Sequence, residues 1–176
     1  MRIIVIGANG VGKTEAASVI SRVLDFGFCE TGNVLIRKLA EFYSAAAEGS
    51  DEMCAFWRKM IRNFKEDFRD ELHALGNLLN RVKPAFIVEA TKHAQMIVGV
   101  RRKCEAEALL ERYGRENTVW IHIDRPGAKD DSFELNDWPV DFRVQNAGNG
   151  PDFKKAVEKV ATMLLEREVQ RKREAL

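Results

Sequence analysis

One short glycine-rich segment near the amino terminus constrains the fold more than any other part of the sequence. Residues 7–14 read GANGVGKT and match the phosphate-binding pattern G-x-x-x-x-G-K-[ST] at every fixed position. The apolar run Arg2–Ile6 precedes them, and apolar residues at helical spacing follow from Lys13 to Leu24. In the sequence context of a buried strand before and a helix after, such a loop holds phosphates with its backbone N–H groups. The sequence therefore predicts an α/β sheet with a phosphate site after its first strand.

Each residue type in this segment has a chemical reason to be there. Glycine lets the backbone curl so that successive N–H groups point at phosphate oxygens. We expect Lys13 to reach the β- and γ-phosphates of ATP and the Thr14 hydroxyl to bind Mg²⁺. The predicted nucleotide-binding residues are Gly7, Asn9, Gly10, Val11, Gly12, Lys13 and Thr14, and the predicted metal ligand is Thr14. The competing interpretation is a glycine turn that binds no ligand.

Strands and helices are predicted to alternate along the rest of the chain. Further strands are predicted at 26–29, 96–100, 119–123 and 141–145, and helices at 34–47, 51–82, 84–93, 103–113 and from 153 almost to the end. This alternation predicts an α/β fold of the three-layer P-loop NTPase class, with a parallel sheet of about five strands and helices on both faces. A rival assignment makes 86–88 the third strand. We favour 96–100 because Arg101 and Arg102 then follow the carboxyl end of a strand, where ligands of open α/β sheets bind.

The composition indicates one domain without a strong preference for a charged partner. With 176 residues, 45% of them hydrophobic, the chain can bury one sizeable core. We expect a single domain over 1–176, with a helical flap at about 31–83 and a short lid loop at about 124–140. The net charge of +1 gives no overall bias toward nucleic acid or a membrane surface. No apolar run is long enough to span a bilayer and the three cysteines form no C-x-x-C pair, so we expect a cytoplasmic protein with reduced thiols.

A row of cations lies on the predicted helix 51–82. Its members are Arg58, Arg62, Lys65 and Arg69, which follow at steps of four, three and four. A continuous helix would place them in one narrow sector, together with Gly76. If the helix is in two parts, Gly76-Asn77 is the predicted break. The row is either a solvated face or one wall of an anion-binding cleft.

The sequence argues against two common uses of a phosphate loop. GTPases read guanine through an N-K-x-D segment, which this sequence lacks. Motor-type ATPases end their third strand in an acidic pair, whereas the corresponding residues here are 99–102, GVRR. Cations at that position favour a second bound anion, and hence phosphoryl transfer between two bound groups.

Several further segments carry a more specific signal. They are KEDFR at 65–69 with Leu72 and Gly76, VGVRRKCEAEAL at 98–109, IDRPG at 123–127, and DFRVQN at 141–146 with Gly148. Together they resemble the phage deoxynucleoside monophosphate kinases and their relatives in the nucleotide kinase superfamily. Residues 31–33, TGN, with Arg37 are more loosely similar to the start of the monophosphate-binding region of adenylate kinases. The resemblance implies a kinase that transfers the γ-phosphoryl group of ATP to a deoxynucleoside monophosphate.

The resemblance also implies roles for individual residues. The substrate-binding candidates are Lys65, Arg69, Arg101 and Arg37, which would hold the acceptor's phosphate, with Glu30 and Arg102 beside them. Arg125 would neutralise the transferring group, and Asn146 and Gly148 would lie beside the adenine of ATP. The alternatives are a surface arginine and an ordinary strand-to-helix turn.

One departure from the resemblance concerns the metal. Relatives often carry an acidic residue where this chain has Gly99. Glu30 and Asp67 are therefore the candidates for the carboxylate that holds Mg²⁺ or acts as a base. The full set of catalytic candidates is Lys13, Arg125, Arg101 and Asp67.

The nature of the acceptor is left open by the sequence. A monophosphate needs no strong base, because its oxygen is already anionic. A hydroxyl, such as a hydroxymethyl group on a modified base in DNA, needs a carboxylate such as Asp67 or Glu30. The cations from Arg58 to Arg69, with Arg102 and Lys103, would then follow the DNA backbone. The compartment would be the host cytoplasm if a phage encodes the chain. The third interpretation is a nucleotide-binding module without catalysis.

Overall fold

The computed structural model describes residues 1–47, 49–83, 85–148 and 150–174. The elements, in chain order, are β1 Arg2–Ile6, α1 Lys13–Leu24, β2 Phe28–Glu30, α2 Thr31–Ala46, α3 Asp51–Asn63, α4 Arg69–Val82, α5 Phe86–Ala90, β3 Met96–Val100, α6 Lys103–Tyr113, β4 Thr118–Asp124, β5 Phe142–Gln145 and α7 Gly150–Glu174. The predicted helix start at Pro84 lies outside the described residues. None of the described helices is long and apolar enough to cross a membrane.

The five strands form one parallel sheet in the order β2-β3-β1-β4-β5. The predicted α/β class and parallel sheet are confirmed, with β1 at the centre and the glycine-rich loop directly after it. The favoured assignment of the third strand is also confirmed, since Met96–Val100 pairs with β1. The rival assignment is wrong, because residues 86–88 belong to the short helix α5.

Alternation along β1 divides the core into two layers. Ile3 and Val5 pack in a cluster with side chains from α1 and α7, whereas Ile4 and Ile6 pack in a cluster with side chains from α5 and α6. All four are 0% exposed. Successive residues of a strand point to opposite faces, so a run that is apolar at every position requires a cover on both sides. The result is the predicted arrangement of helices on both faces of a sheet.

A bulge at Gly99 interrupts this alternation in β3. The pairing register with β1 shifts there, and Val98 and Val100 lie in opposite core clusters although they are two residues apart. Gly99 has φ of 90°, and a Cβ atom on it would lie 3.1 Å from Thr31 Oγ1, which donates a hydrogen bond to the Gly99 carbonyl. The backbone conformation thus explains why glycine stands at position 99.

The helical segment between β2 and β3 differs from the prediction. The structure has two helices in place of one at 51–82, and the break lies between Asn63 and Arg69 rather than at Gly76-Asn77. Gly76 lies inside α4. The turn lets both helices pack on α2, because Ile61 from α3 and Leu72 from α4 belong to one buried cluster with α2 residues. The apolar spacing continues across the turn, which is why the sequence pattern did not show it.

The structure also describes the segment expected to form a loop and the three cysteines. The loop expected at 124–140 contains no helix or strand after Asp124, the last residue of β4. The three cysteines, Cys29, Cys54 and Cys104, are free and partly buried.

The strain at Gly99 yields a stability prediction. Gly99→Ala should lower the free energy of unfolding by about 1–2 kcal/mol, because a side chain disfavours this left-handed backbone and crowds Thr31. Urea unfolding followed by circular dichroism measures the change. The matched control is Gly27→Ala, where a Cβ would meet nothing within 4 Å, and its effect should stay within about 0.5 kcal/mol. Equal effects of the two substitutions would contradict the prediction.

Candidate functional site

A cleft of about 500 Å³ lies at the carboxyl ends of β1, β2 and β3 and extends beneath α4. One end is lined by the phosphate loop through Gly12, Lys13 and Thr14. The cleft also has a cationic wall, formed by side chains from α4, from the turn before it and from the end of β3. The parallel sheet explains the location, because the carboxyl ends of its strands meet at one edge.

The phosphate loop is held in its curled shape by the connection between β5 and α7. Gly12 has φ of 98°, and a Cβ atom there would lie 2.8 Å from Asn146 Nδ2 and 3.1 Å from a ring carbon of Phe153. Asn146 is buried, and its Nδ2 donates to the Val11 carbonyl at 2.9 Å. Its Oδ1 accepts from the Gly148 N–H at 3.1 Å. Asn146 therefore fixes the loop from behind, a contact that sequence reasoning did not anticipate.

Lys13 lies in a cationic and partly buried environment. Its ammonium group donates a hydrogen bond to the Ala8 carbonyl of the same loop. Burial, reinforced by the charges of Arg101 and Lys65, lowers the pKa of Lys13 to about 8, and Asp130 and Glu30 offset only part of this effect. An anion bound in the loop would relieve the excess of positive charge.

Thr14 and Glu30 form an oxygen pair beside the loop. The Thr14 hydroxyl donates to Glu30 Oε1 at 2.5 Å, and Glu30 Oε2 accepts from Asn33 Nδ2 at 2.9 Å. Hydroxyl and carboxylate oxygens are the ligands that Mg²⁺ prefers, and Mg²⁺ in phosphate sites uses few protein ligands. The described part of the chain holds no cluster of three or more His, Cys, Asp or Glu suited to a metal. The pair thus fits Mg²⁺ held together with phosphate oxygens.

Arg101 joins the end of β3 to the phosphate loop and to the loop after β4. Its Nη1 donates to Asp130 Oδ2 and to Ser132 Oγ, both at 3.0 Å, and its Nη2 is 3.4 Å from Asn9 Oδ1. Asp130 Oδ2 also accepts from the Asn9 backbone N–H at 2.8 Å. Burial alone would raise the pKa of the Asp130 carboxyl, but hydrogen bonds from Ser132 and the charge of Arg101 outweigh it and lower that pKa.

Sequence reasoning missed Asp130. The only signal was an acidic pair in a polar loop, at 130–131, and nothing in that pattern identifies a partner.

The row of cations predicted on one helix is divided by the turn at 64–68. Lys65 and Arg69 line the cleft with Arg102, and Arg69 pairs with Glu66. Arg58 and Arg62 instead line a small surface depression on α3. The prediction that all four cations share a sector is therefore wrong, because they do not lie on one helix.

Three other candidates are not among the residues that line the cleft. Arg37 is exposed and pairs with Glu41 at 3.8 Å. Asp67 is exposed. The Arg125 guanidinium lies beside the phosphate loop, where its Nη1 is 3.4 Å from the Gly10 carbonyl.

No family model matches the sequence, and no curated protein matches it either. Among solved structures, the chain is similar to a gluconokinase from Sinorhizobium meliloti 1021, with 13% identity, a TM-score of 0.49 and coverage of 97% of this chain and 96% of that one. It is also similar to shikimate kinase from Aquifex aeolicus vf5, with 16% identity, a TM-score of 0.44 and coverage of 96% and 99%.

A third similar structure is an unliganded sugar kinase from Janibacter sp. HTCC2649, with 17% identity and a TM-score of 0.37. The match covers 72% of this chain and 61% of that chain, which is less than two thirds of its length. All three TM-scores are below 0.5, so these similarities do not assign a reaction to the chain. The chemistry of the site is therefore inferred from this chain's own residues.

The lowered pKa of Lys13 predicts how anion binding depends on pH. An anion in the loop would raise the Lys13 pKa above the value of about 8 that it has in the free protein. Above that pH binding requires proton uptake, so the affinity for ADP should fall by up to about tenfold per pH unit. Calorimetry in buffers of different ionisation enthalpy measures both the affinity and the proton uptake. Lys13→Met is the control, and an equally steep fall in this variant would contradict the assignment.

Proposed function

We propose that the chain is an ATP-dependent phosphotransferase that transfers the γ-phosphoryl group of ATP to the phosphate of a deoxynucleoside monophosphate. The observation that supports this most directly is the cleft itself. The glycine-rich loop lines this cleft together with Lys65, Arg69, Arg101 and Arg102, which come from two segments distant in sequence. Phosphoryl transfer between two anions needs two cationic sites that face each other across a space closed to water.

The loop end of the cleft would bind the triphosphate. Backbone N–H groups and Lys13 would hold the β- and γ-phosphates, and Thr14 with Glu30 would hold Mg²⁺. When bound, Mg²⁺ supplies charge neutralisation at the phosphate oxygens. Asn146 and Gly148 keep the loop in the shape that presents its N–H groups, and we assign them this role in place of direct contact with adenine.

Arg101 is the residue best placed to act on the transferring group. It contacts Asn9 in the phosphate loop and also lines the acceptor side of the cleft. A guanidinium between donor and acceptor would stabilise negative charge as it develops and orient both phosphates. Arg125 lies beside Gly10 instead, so we assign the neutralising role to Arg101.

The carboxylates of the cleft favour a phosphate acceptor over a hydroxyl. Among the described residues, those that line the cleft are Glu30, Glu66 and Glu105. Each already has a partner: Thr14 holds Glu30, Arg69 holds Glu66, and the N–H groups of Arg101 and Arg102 hold Glu105. A hydroxyl acceptor needs a carboxylate that can take its proton, whereas a monophosphate does not.

DNA as the acceptor has less support. Binding along a DNA backbone would need a continuous row of cations beside the cleft. The turn at 64–68 separates Arg58 and Arg62 from the cleft. Phosphorylation of a hydroxyl on a modified base nevertheless remains the alternative reaction, with Glu30 as its base.

The experiment that tests the proposal is a screen for ADP release from ATP. The purified protein is supplied with each common deoxynucleoside monophosphate, or with DNA that bears hydroxymethylated bases, and ADP is measured. We expect release only with one or a few monophosphates, and Lys13→Ala should abolish it without changing the circular dichroism spectrum. Release with modified DNA alone would support the alternative reaction, and no release with any acceptor would indicate a nucleotide-binding module.

A second prediction compares two cations of the predicted row, Arg69 in the cleft and Arg62 on α3. Arg69→Ala should raise the acceptor's KM by roughly ten- to a hundredfold and leave the KM for ATP unchanged, because a charge-assisted contact to phosphate is lost. Arg62→Ala, on α3 and outside the cleft, is the matched control and should change neither constant. Equal effects of the two substitutions would show that the acceptor site has been misplaced.

A further inference from the structure

Gly76 is a glycine in the middle of a helix, on the side that lines the cleft. It is the eighth of the 14 residues of α4 and is buried. Glycine destabilises a helix interior relative to alanine, because it gives up more backbone freedom on folding. A glycine at such a position therefore needs a reason.

Packing within the protein does not supply that reason. The backbone at Gly76 is helical, and a Cβ atom there would come no closer than 3.4 Å to any neighbouring group, the nearest being Leu35 Cδ1. This distance is an ordinary van der Waals contact, which an alanine methyl would satisfy. The space beside Gly76 is thus left open toward the cleft.

Both apolar and polar side chains line the cleft next to Gly76. Leu35 Cδ1 is the atom nearest to a Cβ on Gly76, and the buried Leu72 and Ile87 line the same cleft. His73 and Asn80, one helical turn before and after Gly76, line it as well. A slot that combines apolar side chains, a few polar groups and cations fits a flat ring attached to a phosphate.

One polar group in the slot is oriented and incompletely bonded. Asn80 lies one helical turn after Gly76, and its Nδ2 donates to Glu105 Oε1 at 3.1 Å. Glu105 is itself fixed by the backbone N–H groups of Arg101 and Arg102. Asn80 Oδ1 is buried and has no hydrogen-bond partner among the described residues. A small rotation toward the cleft, which Asn80 also lines, would let this oxygen accept from an N–H on a bound ring.

We propose that the space between Gly76, Leu35 and Asn80 is the subsite for the heterocyclic ring of the acceptor, and that Gly76 sets the largest ring or ring substituent it admits. This inference rests on the proposed function and adds a specificity-determining residue to it. Replacing Gly76 by alanine should therefore raise the thermal stability and at the same time weaken acceptor binding.

The test is Gly76→Ala, measured for thermal stability, for binding of each monophosphate and for kinetics. The Tm should rise by about 1–4 °C, because alanine favours the helix. Affinity and kcat/KM should fall by roughly tenfold or more for purine or 5-substituted pyrimidine monophosphates, less for unsubstituted pyrimidines, and the KM for ATP should stay unchanged. Asn77→Ala is the matched control. It adds alanine at the next position, on an exposed face, and should leave acceptor binding unchanged.

The outcomes distinguish this inference from the proposed function. If the wild type binds monophosphates but transfers nothing to them, the proposed function fails, and a ring-size-dependent loss of binding in Gly76→Ala still supports the subsite. If the alanine variant keeps the wild-type order of acceptor affinities, the subsite is wrong even when the kinase activity is present. Binding of no monophosphate by the wild type, or a fall in Tm for Gly76→Ala, would also overturn it.

Discussion

The contact between the phosphate loop and the β5–α7 connection is the constraint on which the rest of the site depends. Gly12 fits against Asn146 and Phe153 only because it has no side chain, and the Asn146 amide holds the Val11 carbonyl. With the loop fixed in this way, the first turn of α1 places Lys13 and Thr14 at the end of the central strand. The positions of Glu30 and Arg101 then follow, because each contacts a residue of the loop.

The electrostatics of the cleft follow from this crowding. Arg101 and Lys65 lie close enough to Lys13 to lower its pKa. The carboxylates of Asp130 and Glu30 offset only part of this effect. Such an arrangement has a cost in the free protein, and a bound anion would remove it. The cationic wall and the loop therefore have the same effect, since both create positive potential in the cleft.

The sequence was sufficient to predict the parts of the structure that follow from local rules. The loop pattern predicted the tight turn between β1 and α1, and the parallel-sheet rule placed Arg101 and Arg102 at the cleft because they follow a buried strand. The turn at 64–68 was not predictable from spacing, since apolar residues keep helical steps across it. Asp130 contacts Asn9 and Asn146 contacts Val11 across more than 100 residues of sequence, and such contacts leave no periodic trace.

The Asp130 carboxylate connects the loop after β4 to the loop after β1. One oxygen of this side chain accepts hydrogen bonds from both the Asn9 N–H and the Arg101 guanidinium. The Asp130 carboxylate therefore occupies donors that a bound phosphate could use. A phosphate that takes these same donors must displace that anion. Phosphate binding and release of the loop after β4 are then linked equilibria. A ligand that does not compete for the Asn9 and Arg101 donors would leave this loop bound to them.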